Sequence, residues 1–123
     1  PYVAKENTII DLEFLQEKKK YLEQFCNLLI IEGAGGLMVP IEKDLFIIDL
    51  IKIFEASAIL IAPSKLGCIN DTILSVNALK EKNIDFELFI NLYQDIESFE
   101  KVSKPFLIDY FKKLNFLEDL ENL

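Results

Sequence analysis

Three short apolar runs, at residues 27–31 (NLLII), 58–62 (AILIA) and 86–90 (FELFI), divide the chain, with helix-length stretches between them. The runs lack polar alternation, which fits strands covered on both faces, although periodicity alone does not separate such strands from buried helix segments. Residues 44–55 carry Leu45, Ile48, Leu50, Ile51 and Phe54 on a broad apolar face, and residues 71–82 carry Ile73, Leu74, Val76 and Leu79. Strand, helix and strand in this order imply β-α-β crossovers. The expected fold class is therefore α/β, a parallel sheet flanked by helices. Outside the repeat, residues 11–25 read as a further helix. Its Lys18, Lys19 and Lys20 form either a solvated face or a basic patch. In the tail, residues 94–101 are charged, 105–108 suit a short extra strand, and 109–122 are amphipathic and expected to be helical.

At 123 residues the chain fits a single domain spanning 1–123, and no linker, repeat or low-complexity segment divides it. A net charge of −8, with no basic run longer than Lys18, Lys19 and Lys20, argues against nucleic acid and anionic membranes, which are bound through clustered Lys and Arg. Cys26 and Cys68 form no C-x-x-C pair and there is no histidine, so neither a disulfide framework, a zinc site nor a His-based triad is expected. No apolar stretch reaches the roughly 20 residues of a membrane span, and the start does not read as a signal peptide. A cytoplasmic location is the expectation. The chain opens on Pro1 rather than Met, which suggests a preceding segment.

Ligands of an open parallel sheet bind beyond the carboxyl ends of its strands. After the first run comes Glu32-Gly33-Ala34-Gly35-Gly36-Leu37-Met38-Val39-Pro40, which holds three of the four glycines in the chain. Glycine amides can converge on an anion, and a strand-end carboxylate can hold magnesium directly or through water. A tight turn with a solvated Glu32 is the other reading. After the second run comes Pro63-Ser64-Lys65-Leu66-Gly67-Cys68-Ile69-Asn70-Asp71-Thr72. Asn70 or Asp71 would cap a helix whose free amides accept a carboxylate or phosphate, with Lys65 adding positive charge; a capped helix alone is the plainer reading. Asn91 ends the third run with a side-chain amide that either reads a purine edge or merely turns the chain.

Taken in order, these segments resemble the dethiobiotin synthetase family. Residues 31–40 match its V-E-G-A-G-G stretch with the following V-P, residues 65–70 match its K-L-G-C-I-N segment, and Asn91 matches the Asn at the end of its next strand. The resemblance implies a P-loop fold assembled as a homodimer and an ATP-dependent reaction of carbon dioxide with 7,8-diaminopelargonic acid. Carried over by position, Glu32 is the magnesium-binding acid with a catalytic role. Gly33, Ala34, Gly35 and Gly36 form the loop beside substrate and phosphate. Gly67, Cys68, Ile69 and Asn70 receive the substrate carboxylate from the neighbouring subunit, and Asn91 contacts adenine.

Three departures accompany the resemblance. The phosphate-binding loop, G-x-x-x-x-G-K-[ST], occurs nowhere in these residues. Asp71 stands where many members have His, and the adenine-side I-P segment is not recognisable in residues 106–110. The expectation is the C-terminal part of a synthetase whose phosphate loop lies upstream, with this stretch inactive by itself. The alternative is a non-catalytic ligand-binding or dimerisation domain of the same fold. A cobyrinic acid amide synthase relative would add an amidotransferase with Cys and His, a constellation not present in these residues.

Overall fold

The computed structural model describes residues 9–122 and resolves into two compact units, residues 1–56 and 57–123. In the first unit, helix α1 spans Leu12–Glu23. Asp11 starts it: extended at φ −77° and ψ 99°, it accepts the Phe14 amide on its carboxylate at 2.9 Å, satisfying one of the donors that a helix start leaves free. None of its residues is buried. Lys19 pairs with Glu23 and Lys18 lies over the Phe14 ring, so the lysine run behaves as a solvated face.

The chain then runs without pairing to a short antiparallel hairpin, β1 (Pro40–Glu42) with β2 (Leu45–Phe46), and on to helix α2 (Ile47–Ile53). The Phe46 amide donates to Asp49 at 2.8 Å and sets the start of α2. Two long-range bonds hold this unit: Ile10 N–H to Glu42, and the Gln16 amide group to the Ile53 carbonyl, both 2.9 Å. Ile41 and Ile48 are its buried apolar residues.

The second unit is the parallel sheet, in the order β3 (Ala58–Pro63), β4 (Phe86–Asn91), β5 (Asn115–Phe116). Strands β3 and β4 run in unbroken register from Ala58 opposite Phe86 to Pro63 opposite Asn91. Helix α3 (Cys68–Glu81) makes the crossover. Its buried positions, Cys68, Thr72, Val76 and Leu79, recur at helical spacing and face the sheet. After β4 come α4 (Ile96–Ser98), a π-helical turn (Phe99–Ser103) and α5 (Lys104–Phe111), and a 3-10 turn (Leu117–Asn122) follows β5. The core joins Ala62, Cys68, Ile90, Phe99 and Leu107.

The α/β class and the parallel sheet are as the alternating pattern predicts, and β3 and β4 fall on the predicted runs. Five local expectations change. Residues 27–31 form no strand: Leu28 and Ile30 are 77% and 82% exposed. A strand exists only through its ladder, and among the described residues none pairs with this run. Helix α3 begins at Cys68 with Gly67, not Asn70 or Asp71, at its N-cap. The expected strand at 105–108 lies inside α5, where Pro105 occupies the first turn and its missing N–H removes no helical bond. The expected helix at 109–122 stops at Phe111, because Lys112 turns left-handed at φ 65°, and Asn115–Phe116 then joins β4. Within 44–55, residues 45–46 pair in the hairpin before α2 starts.

Candidate functional site

In the first unit the glycine loop follows residue 31 directly. Glu32 is exposed and bonds to no other described residue. Gly35 sits at φ +89°, and a Cβ added there would lie 2.9 Å from the Val39 Cγ2. A Cβ on Gly33 would meet the Ile47 Cγ2 at 2.7 Å. Gly36 differs from both, since an added Cβ there meets nothing within 4 Å, and like Gly33 it has no positive φ. The loop is held from behind by the Val39 amide on the Gly36 carbonyl (3.0 Å) and the Ile48 amide on the Leu37 carbonyl (2.9 Å). Gly33 is therefore required by packing and Gly35 by backbone shape and packing, while Gly36 leaves open space where a side chain would stand. Ala34 is exposed on the same loop.

What this loop can hold follows from its donors. Magnesium is commonly held through one or two carboxylates, retained waters and substrate phosphates. An exposed Glu32 carboxylate beside glycine backbone fits the protein's share of such a set. A complete protein cage is not on hand: among the described residues, no three His, Cys, Asp or Glu side chains cluster as metal ligands.

In the second unit, Gly67–Asn70 and Asn91 lie at the carboxyl ends of adjacent strands, because Pro63 and Asn91 are register partners. Gly67 takes φ +90° and caps α3 without a side chain, so the first-turn amides of the helix have no side-chain partner from the cap. Cys68 is buried and belongs to the core, Ile69 is half-buried, and Asn70 is exposed and donates to Asp71 at 3.2 Å. Of these four, Gly67, Ile69 and Asn70 can offer groups to a ligand through backbone or side chain. The Cys68 side chain is committed to packing. Asn91 is half-buried and its side chain makes no bond to another described residue. Lys65 is exposed.

Two further polar residues at these strand ends escaped the sequence reading. Ser64, 2% exposed, donates its hydroxyl to the Gln94 carbonyl at 2.5 Å and accepts the Gln94 amide at 3.2 Å. Asp95, left-handed at φ 51°, accepts the Leu66 amide at 3.1 Å. A polar pair just past two neighbouring strand ends was the available signal. Its meaning depended on a register that pattern alone does not supply.

Comparison with known proteins adds the family context. The sequence profile of the family described as an AAA domain matches residues 2–122. The ATP-dependent dethiobiotin synthetase of Sulfurovum sp. (strain NBC37-1) is 51% identical over 106 residues, covering 86% of this chain and 50% of the relative. That of Wolinella succinogenes is 36% identical over all of this chain and 59% of its own length, and that of Methanococcus vannielii 38% identical over 95% and 52%. The chain thus spans about half the length of the curated relatives it matches.

Proposed function

The chain belongs to the AAA-domain family matched across residues 2–122 and resembles its dethiobiotin synthetases, and on that premise we propose that the protein closes the ureido ring of dethiobiotin from 7,8-diaminopelargonic acid, carbon dioxide and ATP. One amine of the diamine adds to carbon dioxide, forming an N–C bond and releasing a proton. The resulting carbamate oxygen attacks the γ-phosphorus of ATP and ADP leaves. The second amine then attacks the carbamoyl carbon, and inorganic phosphate departs as the ring closes.

Such a sequence needs in-line positioning and neutralisation of phosphate charge more than a protein nucleophile. The observation that carries the reading is the glycine loop. Its Gly33 and Gly35 have no room for a side chain, its Gly36 leaves open space where a side chain would stand, and Glu32 on the same segment is exposed, a combination suited to phosphate or carbamate against main-chain N–H groups. Glu32 holds magnesium, which when bound supplies positive charge at the phosphates. The first-turn amides of α3, from Gly67 to Asn70, receive the substrate carboxylate, and Asn91 reads the adenine edge.

Both compact units belong to one longer domain in this reading, and the protein acts as a cytoplasmic homodimer. The 123 residues alone turn over no ATP, because the G-x-x-x-x-G-K-[ST] loop that would cradle the β- and γ-phosphates is not among them. The test is the full gene product with ATP, magnesium, bicarbonate and 7,8-diaminopelargonic acid. ADP release that requires the diamine, with dethiobiotin seen by mass spectrometry, supports the reading. Binding of nucleotide or diamine without turnover replaces it with a non-catalytic binding domain.

A further inference from the structure

Between β3 and α3, residues 65–67 are not held by side-chain packing. Leu66 is 90% exposed, Lys65 is exposed, and the space around Gly67 is open enough that an added Cβ would touch nothing within 4 Å. Yet the chain here must turn sharply, through Gly67 at φ +90°, to aim the first turn of α3. Polar ties do the holding. Within the turn, the Cys68 amide donates to the Lys65 carbonyl at 3.1 Å. Among the described residues, its ties to other segments come from Gln94 and Asp95 in the loop after β4.

These cross-links extend the sheet by side chains where the backbone ladder fails. Pro63 is the last residue of β3 and has no N–H to give. Immediately after it, the buried Ser64 hydroxyl bonds both the carbonyl and the amide of Gln94, the reciprocal pattern of a ladder rung. One step further, the Asp95 carboxylate accepts the Leu66 amide, next to the Gly67 turn. Asp95 reaches it from a left-handed backbone, a conformation costly for most residues and easier for Asp, Asn and Gly. A strained residue whose carboxylate lands on one amide of a loop without packing indicates a fitted contact.

We propose that Ser64 and Asp95 form a positioning clamp, through which the strand end carrying Asn91 fixes the turn at Leu66-Gly67 and so the aim of the α3 amides that receive the substrate carboxylate. The proposal rests on the functional reading above. Neither residue touches substrate; both act through the Gly67 turn. The nucleotide-side and diamine-side segments then share one rigid frame.

Three substitutions at position 95 separate the carboxylate from the backbone shape, tested in the full-length gene product. Asp95→Asn keeps both an acceptor and the left-handed preference; Asp95→Gly keeps only the backbone freedom; Asp95→Ala keeps neither. Asp95→Gly is expected to raise KM for 7,8-diaminopelargonic acid about five- to tenfold, the scale of one lost hydrogen bond, with kcat, KM for ATP and the thermal midpoint near wild type. Asp95→Asn restores KM to within about twofold, the lost charge being the only change at a single bond. Ser64→Ala moves the same constant in the same direction. An unchanged KM for the diamine in Asp95→Gly overturns the clamp, as does Asp95→Asn behaving like Asp95→Gly. A parallel fall of kcat, both KM effects and thermal midpoint also overturns it, since that is loss of fold. Wild-type protein that makes no dethiobiotin sinks the functional reading itself and the clamp with it, an outcome distinct from an active enzyme indifferent to position 95.

Discussion

Gly35 and Gly36 are adjacent and chemically identical, yet the structure assigns them different duties, and alanine at each should separate them. At Gly35 the backbone is left-handed, φ +89°, and the new Cβ would lie 2.9 Å from Val39. The backbone term for a side chain in this region is about 1–2 kcal/mol. Val39 is 38% exposed, so its methyl can move aside for a few tenths more, giving a total of about 2 kcal/mol. In a protein of 150–250 residues, that lowers the thermal midpoint by roughly 4–8 °C. At Gly36 the φ is not positive and the Cβ meets nothing, so Gly36→Ala should leave stability within about 0.5 kcal/mol, or raise it slightly by restricting the unfolded chain. Its effect should fall on function, because a methyl now occupies that open space: kcat/KM drops by an order of magnitude or so. The assay is thermal or urea unfolding of the full-length variants beside their steady-state kinetics. If Gly36→Ala unfolds as early as Gly35→Ala, or if it is kinetically silent, the assignment of shape to Gly35 and ligand space to Gly36 is wrong.

Glu32→Gln should reduce ATP turnover by at least about a hundredfold, the scale of losing one charge stabiliser at a transferring phosphoryl group, while the thermal midpoint stays put because Glu32 is exposed and bonds to no other described residue; full turnover in this variant would remove its proposed role. Thr72 is 1% exposed and its hydroxyl has no hydrogen-bond partner among the described residues. Thr72→Val replaces an unsatisfied buried hydroxyl by a methyl of similar shape and should stabilise by about 1 kcal/mol, measured as a higher urea midpoint at constant m; a loss of stability would mean that the hydroxyl has an acceptor after all.

How much of this was legible follows the reach of each signal. Strands β3 and β4 were readable from AILIA and FELFI because their whole apolar pattern is local. The Gly33–Gly36 cluster was readable because glycine at such density marks backbone that other residues cannot follow. Residues 27–31 show the limit: NLLII has a strand's composition, but pairing is a property of two segments, and no described segment pairs with it. Strand β5 is two residues long, too short for any periodicity, and exists because Asn115 and Phe116 reach Phe89 and Ile90. Pro105 misled for a related reason, since a proline reads as a helix breaker until the helix is known to begin beside it. The site residues Gly67–Asn70 were located correctly but capped wrongly, because Asn70 and Asp71 are better caps than Gly67 by local chemistry. The chain instead needed the left-handed turn that Gly67 provides. Ser64 and Asp95 were invisible for want of the β3–β4 register that brings their loops together.

The proposed function has the gene product build the ureido carbonyl from carbon dioxide at the expense of ATP. The most direct test is to incubate the full-length protein with 13C-bicarbonate, ATP, magnesium and 7,8-diaminopelargonic acid and to read the product by mass spectrometry and 13C NMR. The account predicts dethiobiotin with the label in the ureido carbon, formed in step with ADP and phosphate. Unlabelled product, or ATP hydrolysis that neither needs the diamine nor yields the ring, would contradict it.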